Sequence, residues 1–95
     1  MDPSERNAAA TPDPNTASLF EQEEERRKLR RLQIMMSMVM SVISQDTDLS
    51  VEEASELAAN AKRAALAMFP DKEFAYDILY KPRLQRLMAE RFRLQ

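Results

Sequence analysis

A chain of 95 residues with a net charge of −2 supports one small domain, and a domain of that size buries only about 60% of the surface its unfolded chain exposes. It contains no cysteine and no histidine, which excludes disulfides, thiolate nucleophiles, zinc-finger spacings, the Ser-His-Asp triad and the usual neutral-pH proton shuttle. It contains no glycine either, so loops that need backbone without a Cβ to cradle phosphate, the P-loop and the Rossmann turn, are excluded too.

What remains is rich in Ala, Leu, Met, Glu, Arg and Gln, all good helix formers. The expectation is an all-α fold: a small antiparallel bundle of three helices, the third kinked or split at Pro82, after a disordered N-terminal tail. Residues 1–17 hold three prolines, three acids and small polar residues, too little apolar surface to offset the entropy of ordering them. They read as the tail. No basic stretch leads into an apolar one there, so no secretory signal is expected, and the cytoplasm is the default compartment.

The helical domain is expected over 18–95. Ser18-Leu-Phe-Glu21 fits a capping box and predicts a first helix over about 18–45. Glu23 to Arg27 and Glu24 to Lys28 are spaced as i,i+4 ion pairs, which makes this half a solvated helix. Leu29, Leu32, Met36, Val39 and Ile43 then step by three and four, the spacing of a buried seam. Between them runs IMMSMVMSVI, residues 34–43, uncharged and with four methionines. Ten residues at 1.5 Å each reach about 15 Å, half of a hydrocarbon core of about 30 Å, so the run does not span a membrane. Five bases precede it, but its polar face narrows to Gln33, Ser37, Ser41 and Ser44, which argues against lying in a membrane interface.

Ile34, Met35, Met38 and Val42 form a second apolar strip on this helix. A helix apolar on two sides must be covered on two sides. Either the other helices of the same chain cover the strip, with methionine as adaptable core filler, or a second chain does, the same helix across a two-fold axis. The small size of the domain favours the second chain.

Ser50-x-x-Glu53 is a further capping box and starts a helix over about 51–69, with Ala54, Leu57, Ala58, Ala61, Ala65 and Met68 turned inward. Pro70 ends it. Asp71 is the expected N-cap of a short helix over about 72–80, and Pro82 imposes a kink or a new helix over about 82–93 with Pro82 in its first turn. The last segment places Leu84, Leu87, Met88 and Phe92 on one face.

Candidate sites are few. Asp46, Asp48 and Ser50 imitate the start of a calcium loop, but Val51 stands where glycine is required and Leu57 where glutamate is. Turn and cap chemistry accounts for them. Glu52, Glu53 and Glu56 are the acids a helix N-terminus attracts, so neither a metal nor an acid/base pair is assigned to them. Five of six aromatics fall in the last third. The phenylalanines are expected to pack, whereas Tyr76 and Tyr80, one turn apart, are expected to form the exposed rim of a protein interface. Arg26, Arg30, Arg31, Arg83 and Arg86 are the candidate anion contacts.

These readings converge on a non-enzymatic helical protein-protein interaction module that needs no cofactor, with Ile34, Met35, Met38, Val42, Tyr76 and Tyr80 at the interface. Its expected partner is a second copy or another helical protein, and no small-molecule substrate is indicated. The alternative is a small nucleic-acid-associated regulator using the arginine clusters, which the net charge and the interspersed acids weaken.

Overall fold

Ser50 decides where the middle of the chain turns helical. Its hydroxyl oxygen accepts the Glu53 amide at 3.1 Å while the Glu53 carboxylate accepts the Ser50 amide at 3.0 Å, the reciprocal bonds of a capping box. A computed structural model describes residues 14–93, with side chains described from 18 onward. Four helices account for these residues: α1, Pro14–Gln45; α2, Val51–Met68; α3, Glu73–Leu79; and α4, Lys81–Phe92. The expectation of an all-helical chain holds for the described residues, which contain no strand.

The chain divides into two units, Met1–Arg30 and Arg31–Gln95, and each is taken by itself. In the first, α1 begins at Pro14, so residues 14–17 are helical and Ser18 lies inside the helix instead of capping it. Proline suits a first helical turn because its missing N–H has no partner there anyway, and nothing between Pro14 and Ser18 breaks a helix. The rest of the expected tail, residues 1–13, lies outside the described residues. The ion pairs form at i,i+3, Glu23 with Arg26 at 3.3 Å and Glu24 with Arg27 at 3.6 Å, not at the expected i,i+4. Leu29, expected in the seam, is exposed with Leu19 and Phe20.

The second unit holds the core. Leu32, Met36, Val39 and Ile43 of α1 are buried, Met36 and Ile43 completely. They share one cluster with Ala54, Ala61 and Ala65 of α2, Tyr76 of α3 and Leu84 of α4. Small residues on α2 leave room for the large ones on α1, the alternation that fills a helical core without voids.

The connections explain the helix ends. After α1, the Asp46 amide bonds the Val42 carbonyl at 2.9 Å, the Leu49 amide bonds the Asp46 carbonyl at 3.3 Å, and the Asp46 side chain accepts the Asp48 amide at 3.0 Å. This is an Asx turn. From α4, Arg91 donates to the Asp46 carbonyl at 2.8 Å and ties the connection down. Before Pro70, Phe69 ends α2 with its amide on the Ala65 carbonyl. Lys72, not Asp71, occupies the N-cap of α3 and makes no side-chain cap bond. At Pro82 the chain splits rather than kinks: Tyr80 closes α3 and opens α4, which begins at Lys81 with Pro82 in its first turn, where no proline amide is needed. Arg93 terminates α4 in the left-handed region at φ 53°.

Candidate interaction surface

The strip of α1 that the seam leaves over is open to solvent. Ile34 is 54% exposed, Met38 64% and Val42 39%. At 3.6 residues per turn these three lie within about 40° of one another's centre line at Met38, while the buried face is turned roughly 130° away. Met35 falls between the two faces and is partly buried against the core. Three of the four strip residues are therefore left exposed by their own unit, and the fourth is partly buried.

Tyr76 reverses its expectation. It is only 6% exposed and sits in the core, with its hydroxyl 3.9 Å from the Met36 sulfur and its ring 5.6 Å from that of Tyr80, tilted by 40°. Burial pushes its phenol pKa up, against the opposing pull of Lys62. A helix of seven residues can bury one face only, and with Tyr76 inward Phe74 points out, 79% exposed, beside exposed Ile78 and Leu79. Phe74 thus takes the outward place expected of Tyr76, the correction for both residues. Tyr80 is half-buried, with the Arg83 guanidinium 5.9 Å from its ring centre.

A cross-helix ion pair fixes that rotation of α3. Lys62 of α2 reaches Asp77 at 3.0 Å and Glu73 at 3.2 Å. Asp77 first, then Glu73, raises the pKa of the ammonium. Asp77 Oδ1 is shielded from solvent and has no directed hydrogen bond, so Lys62 is its counter-charge. Residues 62 and 77 lie on different helices, and no local spacing links them in the sequence. The exposure of Phe74, Ile78 and Leu79 has no local signal either, because every face of so short a helix carries an apolar residue.

Arg26 is already paired with Glu23, although it lacks an acid at i−4. Arg30 and Arg31 are exposed. Arg83 and Arg86 line a shallow groove of roughly 450 Å³ with Ser37, Ser41 and Ser44 of α1, and Glu90 shares it. A second open groove, roughly 490 Å³ and largely apolar, runs between α2 and α4 past Tyr76. Among the described residues no group of three acids is placed to hold a metal ion, and no helix is long and apolar enough to cross a membrane. Comparison with known protein families, with curated proteins and with solved structures finds no match.

Proposed function

We propose that the chain is a non-enzymatic helical interaction module that self-associates through the exposed strip of α1. The observation that carries this reading is the exposure of Ile34, Met38 and Val42 on the same stretch of helix that buries Leu32, Met36, Val39 and Ile43 in the core. Large apolar side chains aligned on one face lose water-exposed area only by meeting another surface. Methionine at the centre suits a surface that must adapt to its partner. Sedimentation equilibrium of the full chain tests the reading: the apparent mass rises with concentration from 11.0 kDa toward twice that value, and Met38→Glu holds it at the monomer while circular dichroism shows the helices intact. A strict monomer at high micromolar concentration overturns it.

A second reading, a small nucleic-acid-associated regulator, is supported by Arg83 and Arg86, which face three serines and take no part in the ion pairs among the described residues. Titration with nonspecific DNA or RNA decides it. Binding that weakens steeply with salt supports this reading, and no binding at low salt removes it.

A further inference from the structure

The strip on α1 is bracketed by opposite charges, and this fixes what can lie on it. Arg31 sits seven residues before Met38 and Gln45 seven after, both within about 20° of Met38 around the helix. Arg31 is exposed and takes no part in the ion pairs among the described residues. Just beyond Gln45 stand Asp46 and Asp48, also exposed and outside those ion pairs. Arg91 reaches this turn through the Asp46 carbonyl and forms no ion pair with either carboxylate. The strip therefore has a positive end, an apolar middle and a negative end.

We infer that the occupant of this strip is a second copy of the chain whose α1 runs antiparallel, with Met38 on the two-fold axis. Ile34 lies four residues before Met38 and Val42 four after, so in this register each Ile34 meets Val42 of the other copy and Met38 meets Met38. Each Arg31 then faces Gln45 and Asp46 of the other copy, and the symmetry supplies that contact twice. A parallel pairing sets Arg31 against Arg31 and Asp46 against Asp46, like charges side by side. Both pairings are isologous, with one surface meeting itself, and opposite charge at the two ends favours the antiparallel one, which brings unlike ends together. A different helical partner would need no such self-complementarity. The apolar middle is about 12 Å long, which confines the specificity to these few side chains.

The inference rests on the self-association proposed above, and disulfide trapping separates the two, because the chain has no cysteine of its own. Single variants Ile34→Cys, Val42→Cys and Met38→Cys are oxidised mildly, alone and mixed, and cross-linked dimer is read on a non-reducing gel. The antiparallel register yields dimer from Met38→Cys alone and from Ile34→Cys mixed with Val42→Cys. It yields little from Ile34→Cys alone, whose sulfurs stay farther apart than a disulfide spans. Efficient cross-linking of Ile34→Cys with itself, and none with Val42→Cys, overturns the orientation while leaving self-association standing. No cross-link from any variant, together with a monomer by sedimentation, overturns the self-association reading itself. Charge reversal gives an independent measurement: Arg31→Glu weakens association roughly tenfold, and adding Asp46→Lys in the same chain restores it. An unchanged dissociation constant for Arg31→Glu is the parallel result, and overturns the inference.

Discussion

Tyr76 and Met36 meet across the core with the phenol oxygen 3.9 Å from the thioether sulfur, and this contact places α3 with its tyrosine inward and its phenylalanine outward. Thioether sulfur is a weak acceptor, so the ring accounts for most of what Tyr76 contributes. Tyr76→Phe is expected to cost under about 1 kcal/mol, and Tyr76→Ala about 3–5 kcal/mol. Phe74→Ala, at an exposed position, is expected to change stability by no more than about 0.5 kcal/mol. Urea unfolding of the three variants checks the order. A larger loss at Phe74 than at Tyr76 contradicts the orientation of α3.

Alkaline pH tests the Lys62 cluster. Lys62 and Tyr76 both have pKa values raised above their ordinary 10.5 and 10.0. The folded state therefore holds these protons more tightly than the unfolded one. Their contribution is fully present below about pH 10 and is lost as pH rises through the folded values. Thermal melts from pH 8 to 11.5 are expected to show a steady midpoint that falls above pH 10. Lys62→Met removes part of that dependence and leaves Asp77 without its counter-charge.

The Ser50 capping box gives the opposite dependence. Hydrogen bonds from the Ser50 backbone first, and its hydroxyl second, lower the Glu53 pKa below 4.5. Its contribution is present above that value and lost as pH falls through the lowered one. Ser50→Ala is expected to cost about 1 kcal/mol at neutral pH, and Glu53→Gln to flatten the acid limb of the melting profile.

Arg93 is the one described residue other than glycine with positive φ, and the chain has no glycine to put there. A left-handed conformation costs an L-residue with a Cβ roughly 1–2 kcal/mol, and glycine escapes that cost. Arg93→Gly is expected to raise the melting temperature by a few degrees, offset in part by the greater freedom of glycine in the unfolded chain.

Long-range contacts mark the boundary of what could be read from sequence. The seam of Leu32, Met36, Val39 and Ile43 was legible because a helix of many turns repeats its spacing often enough to name one face. The second apolar strip, Ile34, Met35, Met38 and Val42, was legible for the same reason, but its spacing did not say that Met35 would be partly buried and the other three exposed. The Ser50 box was legible because the Asp46 turn precedes it and breaks the helix. Ser18-Leu-Phe-Glu21 carries the same local signal without such a break, and the helix simply runs through it from Pro14. In α3 the pattern fails: two turns hold Phe74, Tyr76, Ile78 and Leu79, and only Met36 and Lys62, distant in sequence, choose which of them turns inward.

Ala54, Ala61 and Ala65 share a core with Met36 and Ile43, small residues on one helix and large ones on the other. This division makes the tolerance for mutation one-sided. Enlarging an alanine of α2 to leucine overpacks the core at about 1–3 kcal/mol, while trimming Met36 or Ile43 to alanine leaves a void at about 2–5 kcal/mol. A saturation library would therefore show α2 unable to grow and α1 unable to shrink at these positions. The exposed positions 34, 38 and 42 would accept either change when selection acts on folding alone, and would become restrictive only when selection acts on assembly.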